Sequence, residues 1–143
     1  MWVSFTLCIE GRKRFFTDKT LVEVFVGFLK PVAERHDFRA IYCFMPDHLH
    51  VISMGQSSKS DVLLGIEEFK QASGYWLETE GISVCWQKSF YDRIVRSRQL
   101  GQVVRYVLDN PVRAGLVAQW REYPFIGAIG LDLETFLEVV GPD

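Results

Sequence analysis

The pattern of apolar and polar residues along the chain predicts four strands separated by helices. Residues 2–9 alternate and are rich in Val, Phe, Thr and Ile, which is typical of a strand. Residues 38–45 and 49–54 follow as the second and third strands. The fourth is predicted over residues 82–87, and residues 90–95 can continue it in extended form.

Apolar residues at helical spacing predict three longer helices. The first runs from Lys19 to Arg35 behind Asp18 as its N-cap. The second begins at Ser60 or Asp61 and ends near Glu80, with Leu63 among its inward-facing residues. The third is capped by Ser97 and ends near Asp109, where Asn110-Pro111 stops it.

This order of elements predicts the α+β, ferredoxin-like β-α-β-β-α-β fold, an antiparallel sheet with helices on one face, here extended by C-terminal helices. A length of 143 residues with 48% apolar content predicts one domain over residues 1–143. Its core is expected at about residues 2–120. Residues 121–143 are expected to form an acidic C-terminal extension, weakly structured until residues 131–140.

Composition excludes several classes of protein. No apolar run approaches the roughly 20 residues of a membrane span, and residues 1–10 lack the basic start and cleavage site of a signal peptide. The widely spaced Cys8, Cys43 and Cys85 are interpreted as buried thiols of a cytoplasmic protein. Residues 86–121 are basic although the net charge is −2, which is compatible with a partner that carries phosphates.

The candidate chemistry begins at a histidine pair on the third strand. His48 and His50 lie two residues apart, so both side chains project from one face, while Leu49 and Val51 face the other way into a core. A Met-Pro-Asp turn that ends in Asp47 precedes them. Such a pair supplies two ligands of a metal site, although His-x-His also occurs on strands without a metal.

The third predicted helix offers the remaining groups. Tyr106 and Asn110 are four residues apart and share a helix face. An amide oxygen of Asn110 suits Mg²⁺ or Mn²⁺ beside two imidazoles, and a Tyr106 hydroxyl held there could act as a nucleophile. Each residue also has a simpler interpretation, Tyr106 as a core-edge side chain and Asn110 as a helix stop. Tyr91 is the alternative nucleophile.

Two long motifs resemble a known family. Tyr42-Cys-Phe-Met-Pro-Asp-His-Leu-His-Val51 resembles the YC-hydrophobic-MPNHxH motif of the single-tyrosine, His-hydrophobic-His ("HUH") transposases. The segments Trp86-Gln-Lys-Ser-Phe-Tyr-Asp92 and Tyr106-Val-Leu-Asp-Asn-Pro-Val-Arg-Ala-Gly-Leu-Val117 resemble the WQ…YD…YIxxNPVRAGLV signature of the REP-associated tyrosine transposase branch. The resemblance covers about residues 5–120.

This resemblance implies the ferredoxin-like fold and an enzyme that nicks and rejoins single-stranded DNA near hairpins formed by palindromic repeats. It implies a divalent metal, Mg²⁺ or Mn²⁺, bound by His48, His50 and Asn110, and Tyr106 as the nucleophile that forms a 5′-phosphotyrosine. It further implies a cytoplasmic, nucleoid-associated protein without a membrane partner, either monomeric or homodimeric.

Basic side chains are expected to contact DNA phosphates, which position a nucleic acid without specifying its sequence. The candidates are Arg12, Lys13, Arg14, Lys70, Lys88, Arg93, Arg96, Arg105 and Arg113. Trp86, Phe90 and Tyr91 could stack on bases, with core packing as the alternative.

The sequence departs from the family pattern at two positions. Asp47 stands where the family motif usually has Asn, and Leu108 stands where members often have His. Together with the low net charge, Asp47 keeps open a second hypothesis, a domesticated, non-catalytic module that binds hairpin or single-stranded nucleic acid. A third is a metal-dependent enzyme acting on small phosphorylated substrates.

Overall fold

A five-stranded antiparallel sheet in the order β4-β1-β3-β2-β5 forms the centre of the structure, a computed structural model that describes residues 1–140. The strands are β1 (Trp2–Cys8), β2 (Phe38–Met45), β3 (His48–Gly55), β4 (Tyr91–Val95) and β5 (Ile126–Ile129). The helices are α1 (Lys19–Arg35), α2 (Val62–Thr79), α3 (Leu100–Leu108), α4 (Asn110–Arg113) and α5 (Leu133–Val140).

Helices α1 and α2 cover one face of the sheet. Asp18 caps α1 by accepting hydrogen bonds from the backbone N–H groups of Thr20 and Leu21, and Asp61 caps α2 in the same way. Beneath them lies an aromatic core in which Phe25 packs edge-on against Phe16 and Phe44. Burying large aromatic side chains in this way is the main source of stability for a domain of this size.

The C-terminal helices α3 and α5 cover the opposite face. Val104, Val107 and Leu108 of α3 and Leu137 of α5 pack in one cluster with apolar side chains of β2 and β3. The sheet is therefore buried on both faces, and α3 lies over the face to which the even-numbered residues of β3 point. Within residues 1–140, no helix has the length and apolar content to cross a membrane.

Four local predictions are wrong. Residues 82–87 form no strand: Trp86 makes only an isolated bridge with Ile9, and the fourth strand is β4. Ser97 does not cap α3 but begins a short 3-10 helix without a side-chain cap. Residues 126–129, expected to be weakly structured, pair with β2 as strand β5. Leu63 is 46% exposed on the outer side of α2.

The cysteines divide into two groups. Cys8 and Cys43 are buried as predicted, and burial raises the pKa of the Cys43 thiol to about 12. Cys85 is exposed, which contradicts its assignment as a buried thiol. It lies in the irregular segment before β4, where Trp86 rather than its neighbour takes the buried position.

Replacing Gly65 by alanine is expected to destabilise the fold, because α2 touches β2 at this residue. An added Cβ would lie 2.6 Å from Cε2 of Phe38, which is itself buried. Overpacking of this kind costs about 1–3 kcal/mol, measurable as the free energy of unfolding in urea.

Gly74→Ala is the matched control on the same helix, since an added Cβ there meets nothing within 4 Å. It should raise stability by about 0.5–1 kcal/mol through helix propensity. Equal effects of the two substitutions would contradict a tight contact at Gly65.

Candidate active site at the centre of the sheet

The two histidines of β3 meet edge to face on the α3 side of the sheet. Their Nε2 atoms are 3.1 Å apart, and the ring planes are inclined by 88°. Leu49 and Val51 are fully buried on the opposite face, as the alternation predicted. Because β3 is the central strand and pairs along its length with both β1 and β2, the two rings start from a rigid backbone.

The outer nitrogen of each ring has its own partner. Nδ1 of His48 lies 2.7 Å from Oδ1 of Asp47, and Nδ1 of His50 lies 3.2 Å from the hydroxyl of Thr6. Thr6 is placed by strand register, since it lies directly opposite His50 on β1. Hydrogen bonds to the outer nitrogens orient the rings so that their inner nitrogens converge.

Asn110 brings the third polar group to the same point. Its amide Nδ2 lies 3.3 Å from Nε2 of His48, across 62 residues of sequence. The chain reaches this position because α3 ends at Leu108 and α4 begins at Asn110, with Pro111 in its first turn. In this orientation the amide N–H can donate to Nε2 of His48, and a half-turn of the amide would bring its oxygen, the metal-binding atom, to the same position.

This donor set fits a divalent cation. Burial lowers the pKa of His48 even though Asp47 opposes the shift, and burial together with the charges of His48 and Arg113 lowers the pKa of His50 to about 3. Both rings are therefore neutral at pH 7, the form that binds metals. Within residues 1–140, no group of three or more His, Cys, Asp or Glu side chains could hold a metal ion, so a metal bound by the two histidines would need a ligand of another type.

A cavity of about 610 Å³ opens beside His50 and is bordered by Tyr106. The Tyr106 side chain is 63% exposed, and the guanidinium carbon of Arg113 lies 3.7 Å from the centre of its ring. Arg113 follows Tyr106 by two helical turns, and the start of α4 places it there. The structure thus brings together the predicted nucleophile, one predicted ligand and a cation.

Tyr91 borders the same cavity from β4, so both candidate nucleophiles lie at its edge. Tyr91 is 72% exposed on an edge strand. Tyr106 differs in lying one turn before Asn110 and beneath Arg113. The Arg113 guanidinium against its ring is thus the contact that distinguishes Tyr106 from Tyr91 in this region.

The predicted DNA-binding residues fall into three groups. Arg93 borders the cavity, Arg113 covers Tyr106, and Arg12 forms an ion pair with Asp47 at 3.0 Å. Lys70 and Lys88 border a separate cavity of about 700 Å³ beside α2, on the other face of the sheet. The remaining four candidates are Lys13, Arg14, Arg96 and Arg105, of which Arg96 directly follows β4 and Arg105 precedes Tyr106 on α3.

Ser4, Thr6 and Gln102 were not singled out from the sequence. Gln102 borders the cavity from α3, and Ser4 and Thr6 border it from β1. The alternation of polar Ser4 and Thr6 between buried apolar residues was the available signal, because such residues share one face of a strand. Nothing in the local sequence indicated that Arg12 would reach Asp47.

One family model matches most of the chain. The family described as "Transposase IS200 like" matches residues 1–110, the span that contains both histidines, Tyr106 and Asn110. A comparison with curated proteins gives no match.

Two solved structures share the fold. A REP-associated tyrosine transposase bound to a REP hairpin is 23% identical, with a TM-score of 0.73 over 87% of this chain and 74% of that chain. A provisionally assigned transposase from Deinococcus radiodurans R1 is 15% identical, with a TM-score of 0.56 over 75% of this chain and 88% of that chain. The predicted α+β fold class is confirmed.

Proposed function

The chain belongs to the IS200-like transposase family, and we propose that it cuts and rejoins single-stranded DNA near hairpins through a tyrosine–phosphate intermediate. One observation carries this proposal. The Nε2 atoms of His48 and His50 lie 3.1 Å apart with the Asn110 amide 3.3 Å from the first, beside a cavity bordered by Tyr106. A metal-ligand set and a hydroxyl nucleophile at one cavity are the parts that phosphoryl transfer requires.

In the proposed reaction, Oη of Tyr106 attacks a backbone phosphorus and loses its proton to solvent. A bond forms between Oη and phosphorus, the bond from phosphorus to the 3′ oxygen breaks, and that oxygen takes up a proton to leave a free 3′-OH. Rejoining is the reverse, in which a 3′-OH attacks the 5′-phosphotyrosine and Tyr106 is released as the phenol. No oxidant or external energy source is needed.

His48, His50 and Asn110 are the residues that would hold Mg²⁺ or Mn²⁺. When bound, such a cation supplies Lewis-acid polarisation of a non-bridging phosphate oxygen. Arg113 is placed to balance negative charge that develops beside Tyr106, and its planar guanidinium suits a phosphate. Both histidines are partly buried on the α3 side of the sheet, and His50 borders the cavity.

The substrate proposed is single-stranded DNA beside a hairpin. A cavity of about 610 Å³ is large enough for one nucleotide, and Arg93 at its edge can contact a phosphate. The structurally similar protein bound to a REP hairpin supports this choice. Such a protein would act in the cytoplasm on nucleoid DNA. A homodimer stays a prediction, with a monomer as the alternative.

The test is to incubate the protein and Mn²⁺ with palindromic single strands taken from the flanks of its own coding sequence. The expected product is a protein–DNA adduct that survives denaturing electrophoresis, together with a free 3′-OH strand that a polymerase can extend. Hairpin binding without any adduct would instead support the non-catalytic binding module. Turnover of small phosphate esters without nucleic acid would support the third hypothesis.

A further inference from the structure

Asp47 lies between two side chains that it joins. Its Oδ1 lies 2.7 Å from Nδ1 of His48, and its Oδ2 accepts a hydrogen bond from Nε of Arg12 at 3.0 Å. The 3.0 Å ion pair with the Arg12 guanidinium favours the ionised carboxylate, and both of its oxygens are engaged.

The tautomer of His48 follows from this contact. A carboxylate only accepts hydrogen bonds, so Nδ1 of His48 must carry a proton, and Nε2 of a neutral ring is then left with a free lone pair. That lone pair is directed towards Nε2 of His50 and the Asn110 amide. The partner of His50 is the Thr6 hydroxyl, which can donate or accept and so permits either tautomer.

We propose that Asp47 is a positioning residue that fixes His48 with its Nε2 lone pair turned to the candidate metal site, and that Arg12 holds the carboxylate in place and balances its charge. The reason for fixing His48 rests on the proposed function, whereas the contacts of Asp47 with His48 and Arg12 do not depend on it. Under this proposal, Arg12 is the ion-pair partner of Asp47, whereas the sequence analysis predicted that it contacts a DNA phosphate.

Local backbone geometry supports the assignment to Arg12. Gly11 and Arg12 both have positive φ angles, 72° and 54°, in the short helical turn that follows β1. The backbone N–H of Ile9 donates to the carbonyl of Asp47 at 2.9 Å, which joins this turn to the one before β3. Both partners of the ion pair are thus carried on connected turns.

The first test reads the His48 tautomer directly in metal-free protein labelled with ¹⁵N. Long-range ¹H–¹⁵N correlation spectra are expected to show a protonated Nδ1 in the unchanged protein and in Asp47→Asn, whose amide oxygen can still accept. Asp47→Ala is expected to shift the ring towards the Nε2–H tautomer. Glu10→Gln is the control, because it removes a nearby exposed acid that lacks the His48 contact.

The second test is calorimetric titration with Mn²⁺. Removing a partner of a metal-binding histidine weakens metal binding by about 10–100-fold, which is expected for Asp47→Ala. Smaller losses are expected for Asp47→Asn and Arg12→Gln, and none for Glu10→Gln. An unchanged His48 tautomer and unchanged Mn²⁺ affinity in Asp47→Ala would overturn the assignment.

The third test separates the two roles of Arg12. If Arg12 balances Asp47, Arg12→Gln weakens hairpin binding and the double variant Arg12→Gln with Asp47→Asn restores it. If Arg12 contacts phosphate, the double variant stays weak, which would contradict the balancing role. A protein that binds neither Mn²⁺ nor DNA would contradict the proposed function, while the tautomer measurement would still decide the role of Asp47.

Discussion

Replacing Tyr106 by phenylalanine is expected to abolish the covalent protein–DNA adduct and to leave hairpin binding intact. The substitution removes only the hydroxyl oxygen that would attack phosphorus, so adduct formation should fall by at least about 10⁴-fold. The ring remains to carry Arg113, which lies 3.7 Å from its centre. Because 63% of the side chain is exposed, the loss of its oxygen should leave the fold unchanged.

The measurement combines a denaturing gel for the adduct with fluorescence anisotropy for hairpin affinity. Tyr91→Phe is the matched control, since it removes the same atom from another tyrosine at the same cavity. This control should form the adduct at close to the normal rate. An adduct that persists in Tyr106→Phe and disappears in Tyr91→Phe would assign the nucleophile to β4 instead.

Replacing His48 and His50 by alanine is expected to abolish Mn²⁺ binding and, with it, strand cleavage. Together the two substitutions remove both imidazole ligands and leave only the Asn110 amide of the proposed set. An amide alone does not hold a divalent cation at micromolar concentration. The heat of Mn²⁺ titration should disappear in the double variant. Asn110→Ala should weaken binding without abolishing it, because both imidazoles stay.

His36→Ala is the control, because His36 is the remaining histidine and pairs with Glu68 at 3.0 Å, away from β3. Its Mn²⁺ titration should match that of the unchanged protein. Circular dichroism should show that the double variant keeps its fold, since both replaced side chains lie at the edge of the core rather than within it. A full Mn²⁺ titration in the double variant would disprove the assignment of the metal site.

Alternation along β3 was enough to predict that the two histidines share one face opposite Leu49 and Val51, because successive side chains of a strand point to opposite faces. His48 and His50 face α3, and Leu49 and Val51 fill the other core, as expected. The bounds of α1 were predicted equally well, since Asp18 supplies a cap at one end. Strong local signals therefore sufficed for the centre of the molecule.

Tertiary contacts decided the features that the sequence did not predict. Trp86 packs in an aromatic cluster with Phe16 and Phe69. Residues 82–87, which were predicted to form a strand, therefore contribute a buried side chain to the core instead. Strand β5 has only four residues and gains its stability from pairing with β2 and from close packing of Gly127 against Tyr42. Neither contact leaves a periodic pattern in its own segment.

The contact between Arg12 and Asp47 is the clearest example, because the two residues are 35 positions apart in the sequence. The sequence marked Asp47 as an unexplained acid beside a predicted metal site and marked Arg12 as a phosphate ligand. Only the register of β1 against β3, which sets Cys8 opposite His48, brings the following turn to the carboxylate. Long-range strand pairing thus joined two residues that the sequence analysis had treated separately, and the role of Arg12 at DNA stays a prediction.

The separation of His48 and Asn110 by 62 positions in the sequence has a consequence for when the site exists during folding. The hairpin of β2 and β3 can form early from neighbouring residues, but Asn110 arrives only after a long loop has closed and α3 has docked. A growing or partly unfolded chain would present a histidine pair without its third group or its tyrosine. Under the proposed mechanism, the capacity to cut DNA is thus the last property that the chain acquires.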